Sequence, residues 1–302
     1  MNTRSLETAL ITGASSGIGA AYARQLASRG YDLILVARRE ERLKALATEL
    51  QQRYLIDVEV LVADLSNPTD VGRVETRIAK LRTLGMLINN AGFGVGGRFA
   101  EFDLSRQIAM IQLHIVASIR LSRAVLPGMI SRGKGIIVNV SSLTALMPES
   151  VNATYAATKA YILTFSESLH SELIGTGVQV QVLLPGCTAT EFWKNPDSVE
   201  FHHSRIPKLL WMSAEEVITE SLNALNGRRV ICIPGLINRL IATLARSTLT
   251  SFLWKTLVMR MRRWLPELAP VRSLEPTRPH PTPALTGAIF EDRVKAAVML
   301  GW

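Results

Sequence analysis

The sequence predicts an α/β protein: a doubly wound, parallel, seven-stranded sheet with helices on both faces, followed by a basic helical C-terminal extension. Three observations lead there. Short apolar, β-branched runs alternate with longer segments of helical period through residues 8–235. The short runs are continuously apolar, which is the pattern of strands covered on both faces. A helix-length segment separates most successive strands, as parallel connections require.

The elements follow in order. TALIT at 8–12 is a strand that meets Gly13, and GIGAAYARQLASRG at 17–30 is a helix closing on Gly30. LILVA at 33–37 is a second buried strand, and EERLKALATELQQR at 40–53 a charged amphipathic helix. VEVLVADLS at 58–66 is a third strand running into a turn. In NPTDVGRVETRIAKLR, Asn67 is the N-cap and Pro68 the first helical residue, where its missing N–H is no loss. MLINNAG at 86–92 is the fourth strand, residues 104–131 a long apolar helix, and GIIVNVSS at 135–142 the fifth strand. Residues 152–175 form another long helix that ends near Gly175 and Gly177. VQVQVLLPG at 178–186 is the sixth strand. SAEEVITESLNAL at 213–225 is a helix with Ser213 and Glu216 spaced as a capping box. VICIPG at 230–235 is the seventh strand. There is no internal repeat.

Of the 302 residues, 48% are hydrophobic, which excludes wholesale disorder. Two cysteines, Cys187 and Cys232, exclude a disulfide scaffold and suit a reducing compartment. No apolar leader precedes the first glycines and no apolar run reaches ~18 residues, so a cytoplasmic location without a spanning helix is expected. The net charge of +9 is unevenly placed. Residues 1–227 carry 22 Lys/Arg against 21 Asp/Glu, whereas residues 228–278 carry 10 against only Glu267 and Glu275. A nearly neutral body argues against a nucleic-acid binder, which would carry the excess across its fold. The expected domains are 1–235 as one α/β domain and 236–265 as a basic amphipathic extension. Residues 266–302 are a Pro-rich arm, or disordered linker, with a short terminal helix at 290–300, since six of the 13 prolines fall between Pro266 and Pro283.

Three places carry chemistry. Thr12, Gly13, Gly17 and Gly19 form T-G-x-x-x-G-x-G between a strand and a helix. Glycines there let the backbone approach a pyrophosphate, and the helix N-terminus supplies free N–H groups. A Gly-rich turn with no ligand would have the same look, and the spacing differs from G-x-G-x-x-G. Tyr155 and Lys159 are four apart on a helix, hence on one face. An ammonium near a phenol favours phenolate, which lets Tyr155 act as acid or base near neutral pH. A solvated helix pair is the alternative. Ser142 ends the fifth strand, where its hydroxyl can bond a substrate oxygen or serve as an ordinary turn residue; Ser141 points the other way by the period of two.

Taken together, these motifs resemble the short-chain dehydrogenase/reductase family. The resemblance covers about residues 6–235 and includes TGASSGIG, Asp64, NNAG at 89–92, Ser142, Tyr155, Lys159 and PGCTAT at 185–190. It implies a Rossmann-like fold and a nicotinamide-dependent oxidoreductase that interconverts a carbonyl and an alcohol by hydride transfer. In that chemistry Tyr155 exchanges the proton, Lys159 lowers the tyrosine pKa and binds the nicotinamide ribose, and Ser142 steadies the reacting oxygen. Cofactor contacts are implied at Gly13, Ser15, Ser16, Gly17, Ile18 and Gly19 of the loop. Asp64 and Leu65 fall at the adenine, and Asn90, Ala91 and Gly92 along the adenosine side. Pro185, Gly186, Thr188 and Thr190 form the carboxamide loop, with Thr188 where valine is frequent. His114 departs from the family, which places there an asparagine that bends the helix and holds relay water. Its ring either joins the relay as a fourth catalytic group or is buried and alters helix packing, the preferred reading. A cofactor-binding scaffold or regulatory protein with little catalysis is the alternative function; His114 supports it, and the intact Ser142, Tyr155 and Lys159 oppose it.

Cofactor preference is written after the second strand, where Ala37 is followed by Arg38 and Arg39, with no carboxylate before Glu40. Guanidinium groups suit a 2′-phosphate, so NADP(H) is expected over NAD(H). The alternative, two arginines at a solvated helix start, costs about 0.3–1 kcal/mol in the helix dipole. No metal site is expected, because His202 and His203 lack further ligands nearby. A lid over 191–212 with Phe192, Trp193, Phe201 and Trp211 suits an apolar or ring-bearing carbonyl or alcohol, although the same aromatics can simply pack the loop onto the body. The family resemblance implies a homodimer or homotetramer built on the helices at 104–131 and 152–175. The 236–265 segment fits packing on the fold or another subunit, the favoured role. It also fits peripheral contact with an anionic membrane through Phe252, Trp254 and Trp264, or an acidic partner.

Overall fold

In β1 (Thr8–Thr12), Ala9, Leu10 and Ile11 are all fully buried, although successive side chains point to opposite faces. A strand with no solvent face belongs inside a sheet covered on both sides. The computed structural model describes residues 7–94, 99–147, 152–194 and 207–246, all within one compact unit, Met1–Trp254.

After β1 come α1 (Gly17–Ala27), β2 (Asp32–Ala37), α2 (Glu40–Tyr54), β3 (Val58–Val62), α3 (Pro68–Ala79) and β4 (Leu84–Asn89). Then follow α4 (Leu104–Ile111), α5 (Ala117–Ser131), β5 (Gly135–Val140), α6 (Ala153–Glu172), β6 (Val178–Leu183) and β7 (Cys187–Ala189). The described fold closes with β8 (Trp211–Ser213), α7 (Ala214–Asn226), β9 (Ile231–Cys232) and α8 (Leu236–Arg246). The main sheet has seven strands in the order β3-β2-β1-β4-β5-β6-β9, every pair parallel. This is the doubly wound, Rossmann-like sheet expected from the sequence. The order reverses between β1 and β4, and the crevice beyond their C-terminal ends is where such sheets bind ligands.

The two layers can be traced residue by residue. Ala9, Ile11, Leu33 and Leu35 pack with Tyr22 and Leu26 of α1, Leu43 and Leu50 of α2, and Val217 and Ile218 of α7. Leu10, Ile34 and Val36 pack on the other face with Val74 of α3, Leu121 of α5 and Leu169 of α6. Each Leu, Ile or Val among them contributes roughly 1.5–3 kcal/mol by leaving water. The caps form as spaced in the sequence. Asn67 Oδ1 accepts from Thr69 N at 2.9 Å, and Ser213 and Glu216 complete the capping box of α7.

Three features depart from the expected elements. Residues 104–131 form not one regular helix but α4 and α5 joined by a π-turn at Gln112–Val116, which carries His114. By length and composition this stretch could cross a membrane, which the sequence reading did not anticipate. However, Ala117, Leu121, Val125 and Met129 pack on the sheet, as in a core helix. Second, β7 and β8 pair as a small parallel sheet, Cys187 opposite Trp211, within the expected lid; strands of three residues are too short to show a period. Third, α8 lays Ala242 into a cluster with Leu143, Ile162, Leu163, Val182 and Leu184, while Leu236, Leu240 and Leu244 face outward. The expected arm at 266–302, all of 247–265 and the centre of the lid, Phe201, His202 and His203 included, lie outside the described residues.

Candidate active site

The site begins where β1 ends. Thr12 Oγ1 donates to Ile88 O at 3.1 Å and accepts from the amides of Asn90 and Ala91, each at 2.9 Å. One buried hydroxyl thereby fastens the Gly-rich loop to the turn after β4. Asn90 Nδ2 adds a bond to Thr12 O at 2.8 Å. Gly13 has φ +68°, and a Cβ on Gly19 would stand 2.3 Å from Gly13 O, so both positions need glycine. Ser15, Ser16, Gly17, Ile18 and Gly19 carry the chain into α1. Its N-cap, Ser16, makes no side-chain cap bond, so that hydroxyl does not cover the first-turn N–H groups.

The segment after β6 faces this loop. A Cβ on Gly17 would lie 3.1 Å from the Thr190 side chain. Pro185 O accepts from Leu143 N at 3.1 Å, which locks the segment to the residue after Ser142. Thr188 is buried and donates to Gly186 O at 3.1 Å. Gly186 rests against Asn238 of α8.

At the end of β5 the two serines divide their work. Ser141 Oγ donates to Lys159 O at 2.7 Å and ties α6 to the sheet. Ser142 points the other way; its Oγ donates to Thr144 Oγ1 at 3.1 Å and accepts from Thr144 N at 3.2 Å. Tyr155 and Lys159 are one turn apart on α6, and Lys159 Nζ lies 5.6 Å from the Tyr155 ring centroid. Lys159 Nζ is buried and donates to Val140 O at 2.9 Å. Burial pushes this ammonium down to about 8.

His114 is buried between Tyr155 and the Gly92–Phe93 turn. Thr158 Oγ1 gives its single proton to Tyr155 O at 2.8 Å, so at 2.9 Å from His114 Nδ1 it accepts. The ring proton is therefore on Nδ1, and Nε2 accepts from Phe93 N at 3.2 Å. Burial, reinforced by the Lys159 charge, holds the imidazole well below its ordinary pKa, so it is neutral at neutral pH. A Cβ on Gly92 would lie 2.8 Å from His114 Nε2. Both ring nitrogens are engaged, and they join α6 to the turn after β4.

The opposite end of the crevice is exposed and charged. Arg39 Nη2 donates to Ser15 Oγ at 2.8 Å and Ser16 Oγ at 2.6 Å, and its Nε to Ser15 Oγ at 3.1 Å. Arg39 Nη1 donates to Glu191 Oε2 at 3.0 Å, and Arg42 Nη1 donates to the same oxygen. The hydrogen bonds from Arg42 and then Arg39 hold the Glu191 carboxyl below its usual range. Arg38 lies 3.7 Å from Asp64. Burial would raise Asp64, but the Ser66 hydroxyl and amide with Arg38 outweigh it and lower its pKa. Leu65, beside Asp64, is buried in the core.

A chain of rings lines the crevice between these ends: Phe93 to His114 at 6.1 Å, His114 to Tyr155 at 5.8 Å, and Tyr155 to Phe192 at 6.0 Å. Phe192 to Trp193 and Trp193 to Trp211, each 5.6 Å, continue it. Trp193 Nε1 is held by Thr188 O at 2.8 Å. Among the described residues, no group of three or more His, Cys, Asp or Glu is placed to hold a metal ion.

The structure thus gathers Ser142, Tyr155, Lys159, His114, Gly92 and Thr188 at one end, and Ser15, Ser16, Arg38, Arg39 and Asp64 at the other. Ser141, Thr158, Phe93 and Glu191 are participants that sequence reasoning did not single out. Ser141 had a signal, the strand period; the other three act through contacts distant in sequence.

Comparisons with known proteins identify the family. A family model described as short chain dehydrogenase matches residues 7–200. A short-chain dehydrogenase from Sphingobium yanoikuyae, solved in complex with NADPH, is 35% identical, with 90% of this chain and 100% of that one covered and a TM-score of 0.72. The bulky-bulky ketone specific alcohol dehydrogenase from Comamonas testosteroni is 33% identical, with 91% and 100% covered and a TM-score of 0.69. A very-long-chain 3-oxoacyl-CoA reductase from Anas platyrhynchos is 36% identical over 193 residues, which are 62% of this chain and 61% of that protein. Because the family model runs from β1 through the segment after β6, the very stretch that builds the crevice, the chain belongs to the short-chain dehydrogenase/reductase family of oxidoreductases.

Proposed function

We propose that the protein interconverts an apolar carbonyl compound and its alcohol, with NADP(H) as cofactor and Tyr155 as the general acid/base. The observation that carries this is the Tyr155–Lys159 pair on α6, with the buried ammonium 5.6 Å from the phenol ring and anchored to the end of the strand leading to Ser142. The loop residues fit a nicotinamide dinucleotide. The backbone at Gly13 and Gly19 leaves no room for a Cβ, and the α1 N-terminus adds N–H groups suited to a pyrophosphate. Gly13, Ser15, Ser16, Gly17, Ile18 and Gly19 would hold the phosphates. Asp64, Leu65, Asn90, Ala91 and Gly92 would line the adenosine, and Pro185, Gly186, Thr188 and Thr190 the carboxamide. Arg38 and Arg39, with the two serine hydroxyls, favour a 2′-phosphate.

The bound nicotinamide would supply or accept the hydride. In the reducing direction Tyr155 Oη donates its proton to the carbonyl oxygen, and the charge on Lys159 favours the phenolate left behind. With its pKa near 8, Lys159 keeps that charge at neutral pH. The Ser142 hydroxyl turns from Thr144 to donate to the same oxygen. His114, neutral and bonded at both nitrogens, positions α6 against the Gly92–Phe93 turn rather than relaying a proton.

The wall of Phe93, Phe192, Trp193 and Trp211 supports a bulky apolar substrate, in keeping with the ketone and 3-oxoacyl names of the two relatives. A panel of bulky aryl ketones and 3-oxoacyl thioesters with NADPH tests the assignment. Turnover is expected on at least one class; tight NADPH binding without turnover on any would favour a cofactor-binding scaffold.

Two outer surfaces support assembly. Leu104, Ile108 and Ile111 of α4 are exposed, which supports a homodimer or homotetramer through the long helices. Only monomer in sedimentation at micromolar concentration would remove it. The outward stripe of Leu236, Leu240 and Leu244, which lies within the basic 228–278 stretch of sequence, supports contact with another subunit or an anionic bilayer. Flotation with anionic liposomes, equal with and without residues 236–302, would exclude a membrane role for this part of the chain.

A further inference from the structure

We infer that Glu191 is a specificity-determining residue: its carboxylate is a built-in competitor for the cofactor's 2′-phosphate at Arg39. The inference rests on the NADP(H) reading and goes beyond it, because it names a group that limits how strongly the phosphate is held. Arg39 has two outward forks of N–H donors. Nε and Nη2 are engaged by Ser15 and Ser16, and Nη1 by Glu191. No two-donor fork is left for a phosphate to grip side by side. The serine hydroxyls can rotate and donate to the incoming anion. A carboxylate has no proton to offer, and its charge repels the phosphate. Glu191 also takes Arg42, so a single carboxylate offsets part of the positive field of both guanidinium groups.

The competitor is attached to the substrate wall. Glu191 opens the short 3₁₀ turn Glu191–Lys194, and the ring of the next residue, Phe192, lies tilted against Tyr155, centroids 6.0 Å apart. A 2′-phosphate that displaces Glu191 therefore loosens the turn holding an aromatic ring over the catalytic tyrosine. An unphosphorylated cofactor has no group to displace it.

Titration calorimetry with 2′,5′-ADP and 5′-AMP on wild type and Glu191→Gln tests this directly, since the two ligands differ by the phosphate alone. The substitution is nearly isosteric at a side chain that is 43% exposed, so folding is retained. Removing one exposed like charge should tighten 2′,5′-ADP by about threefold to fivefold and leave 5′-AMP within twofold. Unchanged or weaker 2′,5′-ADP binding, or equal tightening of both ligands, overturns the inference while the NADP(H) reading stands. Wild type binding 2′,5′-ADP no better than 5′-AMP would instead sink that reading, and the inference with it.

Discussion

The two ends of the crevice are built on opposite principles. At the Tyr155 end buried polar groups are tied to main chain: Lys159 Nζ to Val140 O, His114 Nε2 to Phe93 N, and Ser141 Oγ to Lys159 O of α6. At the Arg39 end charged side chains meet one another in partial contact with water. Buried polar groups are expensive to leave unpaired, about 1–3 kcal/mol each, so the first arrangement fixes geometry. Exposed ion pairs are worth about 0–1 kcal/mol, so the second exchanges partners easily. Chemistry that depends on placement sits at the rigid end, and a ligand that must come and go meets the exchangeable one.

The contrast can be broken first at Lys159. Lys159→Met is expected to lower kcat/KM for reduction by about 10²-fold or more, with the fold retained by circular dichroism. In wild type the same parameter should fall as pH rises through about 8, where the ammonium loses its proton. The sign for stability is opposite. A lysine whose pKa is lowered by folding binds fewer protons in the native state between about 8 and its ordinary value, so its contribution to unfolding free energy rises across that window.

Next in size is Arg38→Asp, which should lower the NADPH/NADH ratio of kcat/KM by about tenfold to a hundredfold, the worth of a charge-assisted phosphate bond. An unchanged ratio would mean that the arginines only start α2. Smaller still is an effect of His114. Because folding depresses its pKa, the unfolded chain binds the extra proton first, and stability is lost as pH falls below the ordinary histidine value. Urea midpoints in His114→Asn should be lower at neutral pH and less acid-sensitive than in wild type; identical slopes against pH would show that the histidine does not titrate on unfolding. The smallest effect belongs to the exposed end. Arg42→Gln should change unfolding free energy by less than ~1 kcal/mol, and a larger loss would erase the distinction between the two ends.

This division also explains what the sequence disclosed. The Gly-rich loop, Ser142, Tyr155 and Lys159 were legible because each is fixed by local spacing: a strand end, a helix start, or one helical turn. Most of the strands were legible because their runs are apolar and β-branched, although Glu59 interrupts β3 and Gln179 and Gln181 interrupt β6. The π-turn was not, since residues 104–131 are apolar on too many sides for a one-residue shift of helical register to show in the pattern. Thr158 acts through a residue 44 positions away and Glu191 through one 152 positions away, distances that no periodicity spans. The small β7–β8 sheet was hidden because its strands are only three residues long.

The central claim is that the rigid end performs tyrosine-mediated proton exchange. Tyr155→Phe removes one hydroxyl, so single-turnover oxidation of NADPH by a bulky ketone, measured beside NADPH affinity, tests it most directly. The account predicts a rate lower by about 10²–10⁴-fold with affinity within about twofold of wild type. A rate within tenfold of wild type, with the cofactor still bound, would contradict it.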